Sequence, residues 1–63
     1  MANQHSISLE RYIARKITDL RTQPSRRDSI GVEIENALQT LHRHDIASAV
    51  HYSIRYYVAR KRF

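Results

Sequence analysis

Apolar residues recur at helical spacing in three successive blocks of this 63-residue chain. Leu9, Ile13, Ile17 and Leu20 stand three and four positions apart, with Tyr12 beside them, as one stripe of a helix requires. Ile30, Ile34, Ala37, Leu38 and Leu41 repeat the pattern and form the clearest stripe in the sequence. Ile46, Val50, Ile54 and Tyr57 make a third at i, i+4, i+8 and i+11. β-branched residues never alternate with polar ones over a useful length, so no strand is expected. The pattern predicts a single all-α domain over residues 1–63, with helices at about 8–22, 28–42 and 45–61 and residues 1–5 frayed.

Polar residues mark the ends. Ser6 or Ser8 can cap the first helix. Pro24 disfavours helix at Gln23 and gives the one obvious break. Ser25, Asp28 and Ser29 compete to cap the second helix, and Ser25 with Asp28 has capping-box spacing. Gly31 lies near that helix's start and is a poor helix former. Asp45 stands where the third helix needs an N-cap. The short Leu41–Asp45 connection makes helices two and three packed neighbours. In the third helix the spacing sends Ile46, Val50, Ile54 and Tyr57 inward. Tyr52, Tyr56 and Phe63 then lie on one flank, and His51, Arg55 and Arg62 opposite the core.

Charge changes this picture. Eleven Lys and Arg against six Asp and Glu give a net charge of +5. Asp28, Glu33 and Glu35 make the middle helix acidic, between two basic neighbours. From Ile46 onward there is no acid, against Arg55, Arg60, Lys61 and Arg62. Such a surface favours nucleic acid, an anionic membrane or an acidic protein. No apolar run approaches the roughly 20 residues of a membrane span. The N-terminal MANQHSISLERYIARK lacks a basic start followed by a long apolar stretch, so a cytoplasmic address is expected. There is no Cys, so no disulfide framework is possible. A core this small is marginal for an isolated chain, which points to a homodimeric helical bundle.

The candidate chemistry is sparse. His42, His44, Asp45 and His51 cluster in sequence, but a His-x-His turn offers two converging ligands at most, so no metal is expected. The alternative reading of these histidines is a response to acid through added positive charge. Ser48, His51 and Ser53 lack a third group to orient the imidazole, and no carboxylate pair, phosphate loop or cofactor fingerprint is present. An enzyme, a cofactor and a small-molecule substrate are therefore not expected. The basic side of the third helix, with Arg55, Arg60, Lys61 and Arg62, suits phosphate contacts whose affinity falls with salt. Arg26 and Arg27 beside Pro24 could add a clamp at the start of helix two. Tyr52, Tyr56 and Phe63 are the candidate dimer or partner interface. Helices two and three with their short turn resemble a helix-turn-helix, with His-Arg-His where a Gly is usual.

A family resemblance sits on the same residues. Ile17-Thr18-Asp19-Leu20, a polar linker, Ile30 through Ile34-Glu35 and Leu38-Gln39, then Asp45-Ile46 leading to Ile54-Arg55-Tyr56, is similar to the small helical bacterial regulators of the YmgB/AriR biofilm and acid-resistance type. The likeness covers about Leu9 to Val58 and carries over no functional residue. It implies an all-helical dimer that regulates gene expression, by binding DNA or as a connector on a signalling protein. The expectation is thus a small dimeric DNA-associated regulator. The alternatives are a protein–protein connector docking on an acidic partner, or an antitoxin or phage-encoded inhibitor.

Overall fold

Three helices follow one another with little between them in the computed structural model, which describes residues 4–61 and the side chains from Ile7 onward. Helix α1 spans Gln4–Thr22, α2 spans Arg27–His44 and α3 spans Ile46–Lys61. No strand occurs among the described residues. Each helix packs on the other two, in a bundle 38 Å long and 14 to 16 Å across. So thin a bundle shelters few side chains, and its core among the described residues is Ile13, Ile17, Leu20, Ile30, Ile34, Ala37, Leu41, Ala49, Tyr56 and Ala59.

The ends of the helices differ in part from the sequence expectation. Gln4 and His5 are already helical, so Ser6 and Ser8 lie inside α1 instead of capping it. No Gly or Pro stands between Gln4 and Leu9 to stop the helix. Pro24–Arg26 form a single 3-10 turn, and the Ser25–Asp28 capping box does not form. The reason is local: the Arg27 N–H donates to the Pro24 carbonyl, so the turn itself supplies an acceptor that a cap would have offered. Asp45 meets its expectation fully. Its N–H closes α2 on the Leu41 carbonyl at 2.8 Å. Its carboxylate accepts from the Ser48 N–H at 3.1 Å and from the Ser48 hydroxyl at 2.8 Å. One residue ends α2 and starts α3.

The stripes of α1 and α2 point inward as their spacing predicts. Ile13, Leu20, Ile30, Ile34 and Leu41 are fully buried, and Leu9 and Leu38 pack at the edge. Helix α3 is turned the other way. Ile46, Val50, Ile54 and Tyr57, expected in the core, are 51 to 66% exposed. Ala49, Tyr56 and Ala59 are buried in their place, with Tyr52 packed beside them.

Packing volume explains the inversion. The inner surfaces of α1 and α2 are already filled by large Ile and Leu side chains, so the third helix fits best through small residues. Ala49 and Ala59 permit that close approach, and a single large ring, Tyr56, fills the space left between them. An inward Tyr also needs a partner for its hydroxyl, and Tyr56 has two. Its Oη donates to Glu35 Oε2 at 2.8 Å and accepts from Arg60 Nη1 at 2.8 Å. The Ile/Val/Tyr57 face offers no such fit.

Polar ties hold the helices in register. Lys16 Nζ pairs with Glu33 Oε1 at 2.8 Å, joining α1 to α2. Arg60 also approaches Glu35 at 3.4 Å, and Arg27 Nη2 donates to the Arg60 carbonyl at 2.7 Å. The start of α2 therefore meets the end of α3, and the two form an antiparallel hairpin along their lengths. A helix-turn-helix would splay them instead, so that likeness does not extend to the geometry.

Gly31 has a structural reason. It is buried beneath the Tyr56–Arg60 pair, and a Cβ there would stand 3.1 Å from Tyr56 Oη and 3.7 Å from Arg60 Nη1. The helix accepts a poor former so that this hydroxyl can sit against its backbone.

Candidate nucleic-acid interface

The basic residues singled out in the sequence fall into separate groups. Arg55 and Lys61 are exposed on α3, and Arg26 is exposed in the 3-10 turn, donating to Gln23 Oε1 at 3.3 Å. Arg60 is half-buried and engaged with Glu35 and Tyr56, its guanidinium 5.6 Å from the Tyr56 ring centre. Arg27 is half-buried on the Arg60 carbonyl. These two arginines are cross-braces of the fold, and a ligand phosphate would have to displace internal contacts to reach them. Arg62 and Phe63 lie outside the described residues.

The aromatic flank is corrected as well. Tyr56 is only 4% exposed and belongs to the core, and Tyr52 is half-buried against it. Neither is placed to anchor a partner, because both rings fill the seam between α3 and its neighbours. Burial and the hydrogen bond to Glu35 push the Tyr56 phenol above its ordinary value, so it stays a neutral donor through physiological pH.

Exposed arginines gather in two places that the sequence did not single out as a site. Residues Arg11, Arg15 and Arg21 are exposed on α1, and Arg55 is exposed on the adjacent flank of α3. Arg21 and Arg55 flank one open groove of about 230 Å³ between these helices, floored by Ile17, Ile54 and Val58. Arg11 and Arg15 border a shallow hollow with Ser8 and Tyr12 further along α1. No exposed residue of α1 or α3 is acidic among the described side chains. The two acids of α1, Glu10 and Asp19, are half-buried, and the acids of α2 belong to other contacts or another surface. The signal was present in the sequence: Arg11 and Arg15 stand one turn apart, opposite the core stripe of α1.

The remaining candidates give no site. His42, His44 and His51 are exposed, and the Asp45 carboxylate is spent on Ser48, which holds it below the usual carboxylate range. Among the described residues no three His, Asp or Glu gather as metal ligands would. No helix there is long and apolar enough to cross a membrane. Comparison with protein-family models, with curated proteins and with solved structures found no match to this chain.

Proposed function

We propose that this protein is a small non-enzymatic regulator that associates with DNA through its phosphate backbone and acts as a homodimer. The observation that carries the reading is the α1/α3 groove, with Arg21 and Arg55 exposed on its two walls, and with Arg11 and Arg15 exposed further along α1. Arginine forks suit phosphate oxygens, and clustered guanidiniums bind a polyanion by releasing its counterions.

Titration of a labelled duplex at several salt concentrations tests this. Two phosphate contacts per chain in the groove predict a log–log slope of about −2 per copy, and engagement of Arg11 and Arg15 as well predicts about −3 to −4. Arg21→Ala with Arg55→Ala should lower affinity and reduce that slope by about 2 per copy. Both side chains are exposed, so circular dichroism should remain helical. Equal affinity of wild type and double variant, or an affinity indifferent to salt, rejects the groove as a DNA site.

A connector that docks on an acidic protein is the second reading, and the same exposed arginines favour it. Capture from cell extract separates the two, since a partner retained after nuclease treatment belongs to the connector and one lost belongs to the DNA regulator.

A further inference from the structure

Helix α3 carries a second apolar face, turned away from the bundle. Successive residues advance by about 100°, which sets Ile46, Ala47, Val50, Ile54, Tyr57 and Val58 side by side on one arc. All six are exposed, the five larger ones by 48 to 66%. The only charge on the arc is Lys61 at its far end, and Arg55 lies on the flank towards α1. Elsewhere on the described surface the exposed large apolar residues are Ile7, Tyr12 and Val32, none of them on α3.

We infer that this face binds the same face of a second copy of the chain, helix α3 against helix α3. The inference rests on the dimeric part of the reading above and names its contact. Three features select a second copy. Ala47, Val50, Ile54, Tyr57 and Lys61 follow each other at intervals of three, four, three and four. That is the a/d repeat by which one helix seats its side chains between those of another. Packed antiparallel across a two-fold axis, the arc sets each Lys61 against the opposite end of the partner helix, so no like charges are opposed in this isologous contact. The extent also suffices. A patch of this kind is on the order of 500 Å², and two of them remove about 1,000 Å² from water, the threshold for a specific interface.

A lipid surface fits less well. Membrane-seated helices favour Trp, Phe and Leu on their apolar side with a cationic rim on both flanks, whereas this arc holds Ile, Val, Ala and one Tyr. The bundle itself supplies the motive for pairing, because a core this small gains much from a neighbour that covers its remaining apolar surface.

Sedimentation equilibrium of the full chain at micromolar concentration should give twice the monomer mass. Val50→Glu with Ile54→Glu should halve that mass and weaken the dimer by a factor of about 100 or more, by placing four carboxylates in the seam. Val32→Glu, exposed on α2, should leave the dimer intact. The absence of cysteine supplies a second measurement that needs no destabilised variant. Ile54→Cys should oxidise to a disulfide-linked dimer, while Val32→Cys should remain mostly monomeric. A wild-type monomer, a dimer untouched by the paired glutamates, equal cross-linking at positions 54 and 32, or co-sedimentation of a monomer with anionic vesicles overturns the inference. A DNA titration on the wild-type sample, whose groove keeps Ile54, keeps the proposals separate. A monomer that still binds DNA removes the seam alone, and a dimer that ignores DNA removes the groove alone.

Discussion

The two sides of α3 are both apolar, yet one is a core and the other is surface. The inner side combines Ala49 and Ala59 with Tyr56, whose hydroxyl is held by Glu35 and Arg60. The outer side is richer in branched aliphatic residues and buries none of them among the described contacts. Hydrophobicity alone would have chosen the outer side. What decided was fit: small residues where two crowded helices leave little room, and a hydrogen-bonded ring where they leave more. A helix wheel weighs greasiness and is blind to the shape of the slot.

The largest effect that could break this comparison is truncation of the buried ring. Tyr56→Ala should cost about 3–5 kcal/mol, enough to unfold a chain of this size in a denaturant titration. Tyr57→Ala, its exposed neighbour, should change the monomer's stability by no more than about 0.5 kcal/mol. That pair is best measured in the Val50→Glu, Ile54→Glu background, where self-association does not contribute. Equal losses at the two positions would mean that α3 is rotated from the orientation described.

A smaller change isolates the hydroxyl. Tyr56→Phe keeps the ring and deletes the bonds to Glu35 and Arg60, so unfolding free energy should fall by about 1–2 kcal/mol. The phenol's value is raised in the fold above its ordinary 10.0. Its contribution is therefore complete below pH 10 and lost as pH rises through the raised value. The gap between wild type and Tyr56→Phe should accordingly narrow in strong alkali.

Gly31→Ala comes next. On propensity alone it should stabilise an internal helix position by about 1 kcal/mol. Here the new methyl meets a hydroxyl pinned from two sides at 3.1 Å, and the expected result is no gain or a loss of up to about 1 kcal/mol. A clear rise in melting temperature would show that Tyr56 moves aside freely.

The smallest expected effect concerns the cap. The Ser48 backbone N–H lowers the Asp45 carboxyl from its ordinary 3.8, and the ion pair with Lys16 lowers Glu33 from 4.5. Groups lowered by folding stabilise above their unfolded values and cease to do so as pH falls through the folded ones. The melting temperature should therefore decline as pH falls below about 4.5. Asp45→Asn should melt a few degrees below wild type at neutral pH, with the difference vanishing in acid. A difference that does not depend on pH would assign the cap's effect to its shape and not to its charge.

The sequence told different amounts about different parts. Two helices were readable down to individual core residues, because Ile13, Leu20, Ile30, Ile34 and Leu41 have no competing apolar face on their helices. Asp45 was equally plain, since a cap acts within one turn. The orientation of α3 was hidden because its deciding partner, Glu35, lies 21 residues from Tyr56 in sequence. The clue was the setting of alanines at 49 and 59 around two tyrosines, a small–large alternation that suits a crowded interface. At the candidate site, Arg55 and Lys61 stand in water as expected. Arg60 and Arg27 were absorbed into bracing that no local pattern announces. Arg21 became relevant only once α1 was known to lie beside Arg55.

The one-residue joint at Asp45 has a consequence for the whole design. With no slack between His44 and Ile46, the angle at which the last helix is presented is indexed directly to the helix before it. Inserting a single amino acid there would advance that index by about 100°. The alanine side would swing out, and Ser48, His51 and Arg55 would be carried towards the core with Val58. The length of the hinge thus protects the fold, since one added residue would set a charged, polar flank against the Ile and Leu core.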